Sequence, residues 1–151
     1  WASGLDPQSV NFLTGRYLLP QPRNSLGSAI RENANGGMDV SDGLVGDLTK
    51  MCRASGVSAE IDVSRVPLSE AARSVVSADP SVLAAMLAGG DDYEILFTLP
   101  VGRIAPMQAA AAKAGVPVSM IGRTVAGDAS PRFVREGGET LRFEQSSFSH
   151  F

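Results

Sequence analysis

The 151 residues carry 13 Lys and Arg against 16 Asp and Glu, for a formal net charge of -3 and a pI of about 5.1. With no basic patch or basic-aromatic stripe, that balance gives no support to nucleic-acid binding. No apolar run approaches the roughly 18 residues of a membrane span, and no charged segment leads into an apolar one. Neither a membrane helix nor a signal peptide is therefore expected, and the cytoplasm is the default location.

A hydrophobic content of 44% with 16 glycines fits one α/β domain with many tight turns. The single cysteine, Cys52, falls on an apolar helical face and reads as core packing, so neither disulfides nor a zinc site are expected. The chain opens Trp1-Ala2-Ser3-Gly4 rather than with Met, which suggests a processed, tagged or excised piece and is consistent with one domain of a larger protein.

Asp6 as N-cap with Pro7 in the first turn predicts a helix to about Leu18, with Val10, Leu13 and Tyr17 on one side. Pro20 and Pro22 stop it. Asn24 or Ser25 then begins a short helix carrying Leu26, Ala29 and Ile30, which ends near Asn35-Gly36-Gly37. Residues 1–35 read as a helical lead-in arm, in which Arg16 and Arg23 either are surface charges or face an anionic ligand.

The stretch from Gly36 to Asp47 is the most informative. A short extended run, Met38 to Ser41, meets a helical pattern with Leu44, Leu48, Met51 and Cys52 on one face, and Asp42 is the candidate N-cap between them. A strand that ends on a helix start presents free backbone N–H groups, which suit a phosphate or a carboxylate-held cation. Asp39 and Ser41 point to one side of the strand and Asp42 follows at the turn. Three oxygen-bearing side chains with no Cys or His beside them suit a hard cation such as magnesium. Alone, the same residues also read as a cap and a solvated turn.

Ala54-Ser55-Gly56 is a helix stop. Val57 to Val63 reads as a strand with Val57, Ala59, Ile61 and Val63 inward, and with Glu60 and Asp62 solvated. Pro67 to Glu70 turns into a helix with Ala71, Ala72, Val75 and Val76, and Ser81 to Ala88 makes one more short helix. Gly89-Gly90-Asp91-Asp92-Tyr93-Glu94 is the second informative stretch, a glycine turn followed by paired carboxylates and a strand to Leu99. Adjacent like charges are either a tolerated surface turn or a place where a cation or donor-rich ligand sits. The two acidic clusters, each beside a glycine turn, can meet at one sheet rim, where α/β proteins commonly hold ligands. A helix from Ile104 to Ala114, a strand from Val118 to Gly122 and a late hairpin of Ser130–Val134 with Thr140–Phe143 complete the pattern. The whole predicts an α/β fold, a mixed sheet with packed helices, partly ferredoxin-like. The tail carries Phe148, His150 and Phe151, whose aromatics either cover a core edge or close over a ligand.

Four segments together resemble the C-terminal domain of the thiamine-monophosphate kinases, in the superfamily of aminoimidazole ribonucleotide synthetase. They are Arg16-Tyr17-Leu18 with Pro22-Arg23, Met38 to Leu44, Ala54 to Ile61, and Gly89 to Glu94, and the ending Phe148 to Phe151 is similar too. The resemblance implies the aminoimidazole ribonucleotide synthetase C-terminal-domain fold over residues 1–151, lacking the family's N-terminal ATP-binding domain. It implies transfer of the γ-phosphoryl group of ATP to thiamine monophosphate, with Mg2+, in a protein that is a homodimer at full length. On the same basis Asp39 and Asp42 bind magnesium, with Asp42 the residue tied most closely to catalysis. Ser41 contacts ATP, and Asp91 and Phe148 contact thiamine monophosphate. Asp92 and Glu94 are alternatives to Asp91 or supports of the turn. The 151 residues alone are expected to be inactive, and the competing readings are a non-catalytic nucleotide- or thiamine-phosphate-binding domain or another phosphoryl-transfer branch of the superfamily.

Overall fold

The computed structural model describes residues 5–90 and 93–143. Helix α1 (Pro7–Leu18) starts as its spacing predicts, because the Asp6 carboxylate accepts hydrogen bonds from the N–H groups of Gln8 at 2.9 Å and Ser9 at 3.0 Å. It buries none of its residues, and Tyr17, expected on a packed side, is 65% exposed. A 3-10 turn (Asn24–Leu26) then buries Leu26 and runs into α2 (Gly27–Asn33).

Strand β1 (Gly36–Val40) leads to α3 (Leu44–Ser55), which turns Leu44, Val45, Leu48 and Cys52 inward. Gly56 ends α3 at φ 64°, a left-handed conformation that glycine adopts without a Cβ penalty. Strand β2 (Val57–Asp62) follows, with Ala59 and Ile61 each 3% exposed. Helices α4 (Glu70–Ala78), capped by the Ser69 hydroxyl, and α5 (Val82–Ala88) come next. After them lie β3 (Glu94–Thr98), α6 (Ile104–Ala114), β4 (Gly122–Ala126) and β5 (Arg132–Val134).

The expected α/β architecture, a mixed sheet with packed helices, is what the chain adopts, with its strands in two groups. A three-stranded sheet has the order β4-β2-β5, antiparallel on one side of β2 and parallel on the other. A separate antiparallel ribbon pairs β1 with β3. Helix α3 packs against β1, β2 and α5 and so ties the ribbon to the sheet. Their shared core holds Val40, Leu48, Ile61, Leu87 and Phe133, and Phe133 meets the Phe143 ring edge-on at 5.0 Å.

Strand β4 lies later than the apolar run Val118–Ile121 predicts. Its register is set by β2, with Ile61 opposite Gly122 and Val57 opposite Ala126. It is an edge strand with only Val125 half-buried, so an exposed Arg123 and Thr124 suit it and apolar content does not mark it. Ile121 instead packs on the core and accepts the Asp62 N–H at 2.8 Å. The late hairpin is present in short form: Val134 bridges Thr140, and Leu141 N–H donates to the Phe133 carbonyl.

Candidate functional site

The antiparallel register of the ribbon sets Asp39 opposite Ile95 and Val40 opposite Glu94. The end of β1 therefore meets the start of β3, and the Asp39–Asp42 segment lies at the same end of the ribbon as Glu94. Tyr93 N–H donates to the Val40 carbonyl at 2.9 Å. Two glycines bring the backbones closer still. A Cβ on Gly90 would stand 2.5 Å from the Ser41 carbonyl oxygen, and one on Gly43 would stand 2.5 Å from that of Gly89. Real side chains do not fit at such distances, so these glycines interlock the two turns. Asp91 and Phe148 lie outside the described residues, as does Asp92. Gly90 and Tyr93, which flank the two carboxylates in sequence, both rest on the Val40–Ser41 segment.

Asp42 is not the N-cap of α3. Gly43 holds that position at φ 99° and no side chain caps the helix. The carboxylate that organises the turn is Asp47, one turn into α3. Its Oδ2 reaches back to accept the N–H groups of Ser41 and Asp42, each at 2.9 Å. Two donors that would be orphaned before the helix are thus satisfied by a side chain inside it. Lys50 donates to Asp47 Oδ1 at 2.9 Å and to Asp42 Oδ2 at 2.5 Å. Burial pushes the Asp47 carboxyl up, but the Lys50 ammonium and the two backbone N–H groups outweigh it and hold it below the ordinary value. Lys50, held by Asp42 first and Asp47 second, is raised to about 12.

Asp39 is exposed, and among the described residues it has no ion-pair partner. Val40, its neighbour in the strand, is buried, which turns Asp39 and Ser41 away from the core. Among the described residues no three acidic, Cys or His side chains converge on one point. The segment carries two carboxylates and a hydroxyl, all hard oxygen donors, and one of those carboxylates, Asp42, is held by Lys50. That set fits magnesium, which takes one or two carboxylates and keeps water and phosphate oxygens for the rest of its shell. The site is an open turn. A groove of about 430 Å³ lies elsewhere, bounded by Val63, Leu68, Arg73, Leu83 and Arg135, and none of the acidic turn residues lines it.

Arg16 and Arg23 prove to be neither free surface charges nor unpaired cations facing a ligand. Both converge on Glu94, Arg23 through Nε at 2.9 Å and a second nitrogen at 2.5 Å, Arg16 at 3.2 Å. Glu94 therefore clasps the lead-in arm to the first residue of β3. Immediately before it, Tyr93 adopts φ 52°, a left-handed conformation uncommon for a bulky residue. Sequence reasoning gave no role to Asp47, Lys50 or the clasp. The one available signal for Asp47 was a carboxylate in the first turn of the helical pattern.

A curated relative, the thiamine-monophosphate kinase of Escherichia coli (strain K12), is 35% identical over 146 residues, which is 97% of this chain and 44% of the relative. The chain thus spans less than half the length of that relative. Among solved structures, thiamine-monophosphate kinase from Stenotrophomonas maltophilia K279a superposes with a TM-score of 0.77 at 31% identity, over 89% of this chain and 41% of that one. AaThiL complexed with AMPPCP and TMP gives 0.75 at 30% identity, over 97% of this chain and 43% of that one. The family model for the AIR synthase related protein, C-terminal domain, matches residues 4–134, and this chain belongs to that family.

Proposed function

We propose that these residues form the C-terminal domain of a kinase that transfers the γ-phosphoryl group of ATP to thiamine monophosphate, giving ADP and thiamine diphosphate. The observation that carries the reading is the interlock of the Asp39–Asp42 turn with the Gly89–Gly90 turn at one end of the β1–β3 ribbon. It is supported by similarity to thiamine-monophosphate kinases and to a relative complexed with AMPPCP and TMP. Phosphoryl transfer is governed by positioning and charge neutralisation rather than by a protein nucleophile. Asp39 and Asp42 are assigned to hold Mg2+, Ser41 to contact ATP, and Asp91 with Phe148 to bind thiamine monophosphate. Bound magnesium supplies neutralisation of crowded phosphate oxygens.

The chain's own residues do the rest. Asp47 fixes the Ser41 and Asp42 amides, and the glycine interlock holds the Gly89 and Gly90 backbone against the same segment. Because the chain spans 44% of its curated relative, an N-terminal domain completes the proposed cleft, and a homodimer and a cytoplasmic setting belong to the same proposal. No helix among the described residues is long and apolar enough to cross a membrane.

The test is ADP formation from ATP and thiamine monophosphate with Mg2+, using the protein at full length. Asp42→Asn is expected to lower turnover by on the order of 100-fold, as loss of a metal-holding group does, while the variant stays folded. Undiminished turnover in that variant contradicts the assignment. The 151 residues alone are expected to give no turnover.

A further inference from the structure

We propose that Lys50 is a resident counter-cation of the Asp39–Asp42 turn, holding the Asp42 carboxylate while no divalent cation is bound and yielding it when one arrives. The proposal rests on the magnesium-dependent reading above and names the group in this chain that competes with the metal.

The argument is an asymmetry between the two carboxylates that share the ammonium. The Asp47 side chain is 1% exposed, with Oδ2 committed to two backbone N–H groups and Oδ1 to Lys50. Without Lys50, that second oxygen would sit buried with no donor, which is costly. The Asp42 side chain is 34% exposed, so water or a metal can take its oxygens at little cost. Lys50 follows Asp47 by three residues on α3, which puts the two on one helix face and keeps the tether short. The Lys50–Asp47 contact is therefore the permanent one and the Lys50–Asp42 contact the exchangeable one. A lysine ammonium is a mobile point charge on a flexible stem, well suited to giving up one of two acceptors. A divalent cation on Asp42 repels the same ammonium, so the two compete for one carboxylate.

The test follows Asp42 itself, in the protein at full length, by carboxyl-13C spectra of aspartate-labelled protein during Mg2+ titration. The Asp42 resonance is identified by its loss in Asp42→Asn. Lys50→Met is expected to bring Asp42 to half-saturation at about 2- to 5-fold lower Mg2+ than wild type, the fold-change equivalent of a half-exposed ion pair. Half-saturation at equal or higher Mg2+ overturns the proposal and leaves the kinase reading standing. An Asp42 resonance indifferent to Mg2+ in wild type, with and without nucleotide, overturns both. Should Lys50→Met not fold, wild type decides. The Lys50 Nζ resonance is expected to shift over the same Mg2+ range as Asp42 while the Asp47 carboxyl holds its position, and a stationary Lys50 beside a responding Asp42 refutes the exchange.

Discussion

At the scale of single residues, Asp47 sets the geometry of the turn although it faces no ligand. Replacing it by Asn removes one of the two carboxylate charges that Lys50 meets and weakens the acceptor for two backbone amides. The expected cost is about 1–3 kcal/mol, read as a lower urea midpoint at pH 7. The pH dependence has a definite sign. Because folding lowers the Asp47 pKa, its contribution is full above the unfolded value of about 3.9 and is lost as pH falls through the lower folded value. Lys50 behaves oppositely: its contribution is full below about 10.5 and is lost as pH rises through about 12. The stability gap between wild type and Asp47→Asn is therefore expected to be widest near neutral pH and to narrow in acid. A gap that stays constant from pH 7 to pH 2 would show that the charge on Asp47 contributes nothing. The sequence pointed to Asp42 as the cap because Asp is a common N-cap residue. It did not show that Gly43 takes the cap position, at φ 99° and packed against a segment about 45 residues later in the chain.

At the scale of elements, most of the chain was legible because local signals agreed with tertiary ones. Asp6-Pro7, Ser69 and Gly56 mark helix ends by side-chain or backbone chemistry that needs no distant partner. The later start of β4 was not legible, because an edge strand takes its register from β2 and shows polar residues to solvent. Nor was the Glu94 clasp, since its partners lie 78 and 71 residues away. The Gly89-Gly90 pair was legible as a turn but not as a contact surface. That contact makes a prediction. Gly90→Ala forces Cβ against the Ser41 carbonyl and is expected to cost about 1–3 kcal/mol, as overpacking does. Gly102→Ala, where nothing lies within 4 Å of the added carbon, is the control and is expected to stay within about 0.5 kcal/mol of wild type. Equal effects at the two positions, measured by denaturant unfolding, would rule out the interlock.

At the scale of the whole molecule, the core does not build the candidate site directly. It fixes α3, and α3 in turn holds both the end of β1 and the α5 segment that leads to Gly89. The Asp39–Asp42 segment and Gly89, Gly90, Tyr93 and Glu94, about 50 residues apart in sequence, thus share one end of a two-stranded ribbon. The residues alone allow the two clusters to meet at one sheet rim, and the pairing of Val40 with Glu94 shows how the segments that flank them come together. The most direct measurement is paramagnetic line broadening with Mn2+ in place of Mg2+ in the protein at full length. The amides of Gly89, Gly90 and Tyr93 are expected to broaden together with those of Ser41 and Asp42, and all five to sharpen in Asp42→Asn. Broadening at Ser41 and Asp42 that leaves Gly89, Gly90 and Tyr93 sharp would contradict a shared metal-phosphate site.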